Sequence, residues 1–377
     1  MAVRLSPVLA DLAQYPFTKL DEWKAEAAAR GIDLIDFGMG DPREVTPPFI
    51  REALLASVDA VSSYPRAPGL PELRTAIAGW LDRRFGVAVD PAEEIVPTLG
   101  SKEAIFSFAQ IALGEKRLVA IPEPAYPVYE RGALFAGGSI VRIPLREELG
   151  WLPDLDAFPA WDDIALFWTC YPNNPTGAVA PLSFHEELAA RAREHGFLVC
   201  SDEAYSELWF DEPPVSALQV ADRSNVVVFN TLSKRSSMTG YRSGFVCASP
   251  DIVGALRAFR PSVGTVPQEF VQRASIAAWS DDQHVEDVRE LYRRKRETIL
   301  PAFERAGFRL AGSTATFYLW FDVGGSSEEA ARRLLERGIV VAPGSFFGEP
   351  GEGYVRVALV PTQTECERAA EILAEAF

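Results

Sequence analysis

Lys234 lies in the segment FNTLSKRSSMTGYRSGF, where an apolar run, Val226–Phe229, ends in a polar loop. The loop carries Thr231, Ser233 and Lys234, and Arg242 follows eight residues after the lysine. A lone lysine in a loop is usually just solvated. Here hydroxyls and a guanidinium stand close to it in sequence, and both suit a phosphate: Ser and Thr donate hydrogen bonds, and Arg forks onto the oxygens. An amine beside a phosphate site is what a cofactor held through a Schiff base requires.

Five further segments carry polar groups that could join this site. In FLVCSDEAYSEL an apolar run ends in Asp202, with Tyr205 three residues on. Asp202 is open to two readings, a helix cap or a ligand group at the end of a strand. A carboxylate there could keep a pyridine nitrogen protonated. FWTCYPNNPTG is turn chemistry, yet it also follows an apolar run, which lets Asn174 point into the same crevice. In PTLGSKEAIFSFAQIALG, Gly100 and Ser101 open a helix whose free amides could bind an anion. In EPAYPVYE, Tyr126 sits between prolines and could stack on a flat ring or simply pack in a loop. In GEGYVRVALV, Arg356 interrupts an apolar strand and needs an anionic partner, either a substrate carboxylate or a structural acid.

These groups converge only if the elements before them lie side by side. Strands are expected at Leu118–Ile121, Ile140–Ile143, Ile164–Thr169, Phe197–Ser201, Val226–Asn230 and Gly244–Ala248. Their near-continuous apolar runs suit strands covered on both faces. Between two of them, SFHEELAARAREHG repeats apolar residues at Phe184, Leu188 and Ala192 and stops at Gly196, the pattern of an amphipathic helix. Strand–helix alternation argues for an α/β domain with a mostly parallel sheet. The charged stretch Val285–Arg296 reads as a solvated helix. Beyond it FRLAGS, TFYLWFDV, a helix at Ser327–Arg337, GIVVAPG and YVRVALV suggest a smaller α+β unit, on which the first forty residues are expected to pack.

Taken in order, the motifs resemble the fold-type I pyridoxal-phosphate enzymes, the aspartate-aminotransferase superfamily, along nearly the whole chain. NNPTG, SDEAY, the Ser-Lys pair with Arg eight residues later, and YVRV carry the resemblance jointly. It implies a three-layer α/β large domain over residues 43–290 whose mostly parallel sheet binds pyridoxal 5'-phosphate. A smaller α+β domain would be built from 1–42 and 291–377. It implies that Lys234 holds the cofactor covalently and shuttles a proton, that Asp202 pairs with the pyridine nitrogen, and that Tyr205 and Asn174 bond the phenolic oxygen. Tyr126 would stack on the ring. The backbone amides of Ser101 and Lys102, with Ser233, Arg242 and the hydroxyl of Thr231, would hold the phosphate. Arg356 would clamp the substrate α-carboxylate, with Gly40 and Asn174 beside it. Tyr64 would reach the phosphate of a neighbouring subunit, which makes the active unit a homodimer with shared sites.

Within the superfamily the chain is similar to succinyldiaminopimelate transaminases. The carrying residues are SSYPRAPGLPELR, RRFGV, PTLGSKEAIF, SKRSSMTGYRSGF and TATFYLWF. The resemblance implies transfer of an amino group from N-succinyl-LL-2,6-diaminopimelate to 2-oxoglutarate, a step of lysine biosynthesis. Other donors (aspartate, an aromatic amino acid or alanine) and a carbon–sulfur β-lyase reaction stay open. A cofactor-sensing transcription regulator would need a basic DNA-binding domain, for which this chain has no room before Asp36. The far end of such a substrate needs its own cation, for which Arg66, Lys102 and Arg260 are candidates.

Composition narrows the partners. The 377 residues carry 37 Lys and Arg against 53 Asp and Glu, a formal charge of −16. That excess of acid argues against a nucleic-acid surface. Cys170, Cys200, Cys247 and Cys366 are far apart and form neither a disulfide framework nor a zinc motif; His185, His195 and His284 show no metal-ligand spacing. The opening MAVRLSPVLADLAQ has no signal-peptide core, and no stretch approaches the ~20 apolar residues of a membrane span. A cytoplasmic protein is expected.

Overall fold

The computed structural model describes residues 6, 8, 9, 16–61 and 63–376. The expectation about the first fourteen residues falls almost wholly outside them.

A short strand, β1 (Ile35–Asp36), precedes seven strands that form one sheet: β2 (Ile95–Thr98), β3 (Leu118–Glu123), β4 (Ser139–Pro144), β5 (Ile164–Cys170), β6 (Leu198–Asp202), β7 (Val226–Thr231) and β8 (Gly244–Cys247). Their spatial order is β2-β8-β7-β6-β5-β3-β4. β8 alone runs against its neighbours; the pairs from β7 through β4 are parallel. The six expected strands are present with ends shifted by two residues at most. β2, the edge strand in IVPT, carries no long apolar run and was not expected.

The two-residue period of a strand explains the apolar runs. Val226 and Val228 of β7 join one hydrophobic cluster, and Val227 and Phe229 join another on the opposite face. Every residue of β5 is buried. All four cysteines are free and buried. The amphipathic helix spans Leu182–His195 and buries Phe184, Leu188 and Ala192.

The second sheet has the order β12-β13-β10-β9, formed by β9 (Arg309–Gly312), β10 (Tyr318–Asp322), β12 (Ala342–Pro343) and β13 (Tyr354–Ala358), all antiparallel. β1 pairs in parallel with β11 (Ile339–Val340). The residues after β1 continue the attachment: Phe37 donates to Val340 and accepts from Ala358 through the backbone. The chain near residue 35 is thereby tied to the C-terminal strands.

The charged stretch Val285–Arg296 departs from the solvated helix expected of it. The helix Gln283–Arg305 is not simply solvated, because it buries Val285, Tyr292, Lys295, Ile299, Ala302 and Phe303. Its charged residues mask an apolar face, and one charge lies on that face. Lys295 is buried, pairs with Glu44 and donates to the Leu359 carbonyl at 3.3 Å. The boundary expected between residues 290 and 291 falls inside this helix. No described helix is long and apolar enough to cross a membrane.

Candidate active site

Parallel strands all release their chains at one edge of the sheet, and ligand groups collect there. β6 ends at Asp202, β7 ends at Thr231 just before Lys234, and β5 ends just before the turn holding Asn174. That turn is set by Asn173, whose Oδ1 accepts from the Thr176 amide at 3.0 Å and hydroxyl at 2.8 Å.

At this edge lies a cavity of about 460 Å³. Its wall includes Gly40, Ser101, Lys102, Tyr126, Asn174, Asp202, Tyr205, Thr231, Ser233, Lys234, Arg242 and Arg356. Twelve residues selected from sequence thus meet in one place. Tyr64 does not: it is fully exposed and away from this wall.

The half-buried Lys234 donates from Nζ to the Gly40 carbonyl at 2.6 Å. Burial lowers its pKa to about 8; Arg356 and Arg242 push the same way, while Asp41 and Asp202 oppose them. Asp202 is buried, and burial raises its pKa to about 6 against the hydrogen bond from Tyr129 and the influence of Lys234. The Tyr129 hydroxyl reaches Asp202 Oδ2 at 2.8 Å, and the Tyr129 ring stacks on Trp168.

Arg242 and the helix Gly100–Ala112 make the other end of the cavity. No side chain caps that helix, so its first-turn amides are available to an anion. Gly100 has φ +71°, and a Cβ there would stand 2.7 Å from the Arg242 guanidinium. Arg242 donates to the carbonyls of Thr239 and Leu99 and is held with φ +54°. Thr231 Oγ1 and Ser233 Oγ lie 2.9 Å apart on the same side.

Arg356 is only 3% exposed. It donates to Asn174 Oδ1 at 2.9 Å and the Gly38 carbonyl at 2.8 Å, while its Nε has no partner. Among the described residues no carboxylate pairs with it. Aromatic rings flank it instead, Tyr318 at 4.3 Å and Phe347 at 4.6 Å from the guanidinium carbon. A buried cation with an open donor and no anion of its own suits an incoming carboxylate.

Three site residues escaped the sequence reading. Tyr129 sits three residues after Tyr126 in EPAYPVYE, a helical spacing that offered a clue. Tyr318 hydrogen-bonds Tyr205 between hydroxyls at 2.9 Å, and a side chain at Gly40 would overlap its hydroxyl. Asp41 lines the cavity directly after Gly40. Of the three candidate cations for a distal carboxylate, Lys102 is on the wall, 5.9 Å from the Tyr126 ring centre. Arg66 is exposed outside it. Arg260, expected as a candidate, is instead buried: it pairs with Glu103 at 2.8 Å and donates to backbone carbonyls, so its charge is already paired within its own chain.

The sequence matches the family of aminotransferases of class I and II over residues 32–373. The chain belongs to the class I and II aminotransferases. It is 41% identical to an LL-diaminopimelate aminotransferase of Nitratidesulfovibrio vulgaris (strain DP4), covering 99% of both chains. It superposes on the crystal structure of an aminotransferase from Neisseria meningitidis with a TM-score of 0.91 and 37% identity, covering 99% of this chain and 100% of that one. A probable N-succinyldiaminopimelate aminotransferase of Thermus thermophilus gives a TM-score of 0.89 at 32% identity, covering 96% of this chain and 100% of that one.

Enzymes of this family depend on pyridoxal phosphate, and the donor set fits that group. Hydroxyls, helix amides and Arg242 suit a phosphate at one end of the cavity; Asp202 suits a protonated ring nitrogen; Lys234 supplies an amine between them.

Proposed function

We propose that this aminotransferase exchanges an amino group between a diaminopimelate-type amino acid and 2-oxoglutarate. The observation that carries the reading is Arg356, buried, without a carboxylate of its own and on the same wall as Lys234. Arg356 with Asn174 would fix the α-carboxylate of donor and acceptor alike. The bound cofactor supplies an electron sink for the charge left when the Cα proton departs. Lys234 would anchor the cofactor, then take that proton and return one on the opposite leg. Its lowered pKa suits both tasks near neutral pH. Asp202 would keep the ring nitrogen protonated, with Tyr129 fixing the carboxylate; Tyr205 and Asn174 would bond the phenolic oxygen. Tyr126 would cover the ring, and Ser101, Lys102, Thr231, Ser233 and Arg242 would hold the phosphate.

The far end of the substrate would meet Lys102. Its ammonium has no hydrogen-bond or ion-pair partner among the described residues, and burial, Arg242 and Arg131 all lower its pKa. Asp41, also unpaired there, would suit the distal ammonium of unmodified LL-diaminopimelate. The 41% identical relative supports that donor. The N-succinyl form is the second reading, supported by SKRSSMTGYRSGF, TATFYLWF and the Thermus neighbour.

A second copy of the chain is part of the proposal. Leu55, Val58, Val61 and Tyr64 are 57–101% exposed along one segment, a series of exposed apolar side chains that a partner would cover. In a two-fold dimer Tyr64 could then serve the partner's phosphate. We also propose the division into 43–290 and 1–42 with 291–377, supported by the two separate sheets, and a cytoplasmic location.

A donor panel with 2-oxoglutarate as acceptor tests the substrate. LL-diaminopimelate, N-succinyl-LL-diaminopimelate, aspartate, phenylalanine and alanine are compared by kcat/KM. One diaminopimelate form should lead, and Lys102→Ala should cost it ~2–4 kcal/mol, the scale of a lost charge-assisted contact. A tenfold preference for aspartate or phenylalanine would overturn the diaminopimelate reading.

A further inference from the structure

Behind the lysine turn lies a chain of three side chains that the proposed chemistry does not use. Ser236 Oγ is 2.8 Å from His284 Nε2, and His284 Nδ1 is 2.7 Å from Asp281 Oδ1. The order and spacing are those of a Ser–His–Asp nucleophile. Ser236, however, has no exposed surface and His284 only 6%. No acyl donor can reach that hydroxyl in the folded chain, so the arrangement must act on its surroundings.

Those surroundings are the Lys234 turn. Ser236 closes the one-turn helix Leu232–Arg235 by donating its amide to the Leu232 carbonyl at 3.1 Å. The next residue, Ser237, has φ +52°, a left-handed backbone that a non-glycine residue adopts only when held. Two clamps flank this point. His284 grips Ser236, and the Thr46 hydroxyl donates to the Ser237 carbonyl at 2.6 Å. Thr46 belongs to the segment that continues from Gly40, whose carbonyl meets Lys234.

We propose that Asp281, His284 and Ser236 form a buried positioning chain that holds the Lys234 turn ready to capture the cofactor. Asp281 as a carboxylate can only accept, so His284 Nδ1 carries the proton and also leaves Nε2 bare. Ser236 then donates to Nε2, which fixes the direction of its hydroxyl. The groups facing the imidazole are Asp281 and Asp282 before its own helix, Arg235 and Ser236 from the lysine turn, and the edge of Phe49 at 5.5 Å. Burial and Arg235 lower the His284 pKa from 6.5, against Asp281 and Asp282, so the neutral ring is the resting state. Protonation would turn Nε2 into a donor and force the Ser236 hydroxyl to reverse.

The inference rests on Lys234 being the cofactor lysine, and the test separates the two. The full chain is stripped of cofactor and mixed with pyridoxal phosphate. The rate of adduct formation is followed by borohydride trapping and peptide mapping, beside thermal melting of each stripped protein. Ser236→Ala and His284→Phe should slow capture at Lys234 at least tenfold. His284→Gln, which can still accept from Ser236 and donate to Asp281, should stay within about threefold of wild type. The ratio of wild-type to His284→Gln rates should fall as pH drops below 6.5. If His284→Phe gives no cooperative melt, Ser236→Ala reads the same contact from its other end. Capture by Ser236→Ala at the wild-type rate would overturn the inference, as would slow capture that tracks melting temperature and is not rescued by glutamine. Label on another lysine would instead overturn the assignment of Lys234.

Discussion

Asp202 and Glu203 are adjacent, both buried, and placed for different work. Asp202 lines the cavity, whereas Glu203 turns away and accepts from Ser201 and the Ala217 amide. Burial raises the Glu203 pKa from 4.5 to about 7, and its Oε2 has no partner. A carboxyl with a raised pKa stabilises the folded state below 4.5 and loses that contribution as pH rises through about 7. Glutamine cannot ionise. Glu203→Gln should therefore gain stability relative to wild type across that window, by up to about 3 kcal/mol. Denaturant unfolding at several pH values measures the difference; a constant difference would contradict it. Single residues of the site were legible where a polar type ended an apolar run, as with Asp202, Asn174 and Lys234. Tyr129 and Tyr318 were not, because an aromatic in an apolar setting looks like core until its hydroxyl is seen against Asp202 or Tyr205.

At the scale of elements, the site is made by where strands and helices end. β5, β6 and β7 were legible because each is buried on both faces and so nearly all apolar. β2 was not, being four residues long at the sheet edge, and the helix Gln283–Arg305 hid its buried face among arginines and glutamates. The helix that starts at Gly100 depends on the missing side chain. Gly100→Ala would need a left-handed alanine, at ~1–2 kcal/mol, and would push against the Arg242 guanidinium. Phosphate-end binding should weaken, with cofactor dissociating about tenfold faster in an exchange assay while the fold melts cooperatively. Cofactor retention equal to wild type would show that Arg242 and the helix start do not hold the phosphate.

For the whole molecule, two sheets and the tie between β1 and β11 close the cavity from opposite sides: Gly40 and Arg356 come from the chain ends, and Lys234 and Asp202 from the central sheet. That convergence of residues hundreds of positions apart was legible only through the ordered set of motifs, since no local pattern brings Arg356 to Lys234. A cavity of about 1440 Å³ adjoins the site, shares Lys102 and Arg242 with it, and is lined by Leu54, Phe106, Phe259 and Val271. The proposed second copy would pack here. Sedimentation of the holoenzyme should give a dimer, and an active monomer at assay concentration would contradict the proposed sharing of sites. Lys234 is the proposed carrier of pyridoxal phosphate in this aminotransferase. Borohydride reduction of the holoenzyme followed by peptide mapping tests it most directly. A phosphopyridoxyl group should appear on Lys234 alone, and none in Lys234→Ala; a label on any other lysine would contradict that assignment.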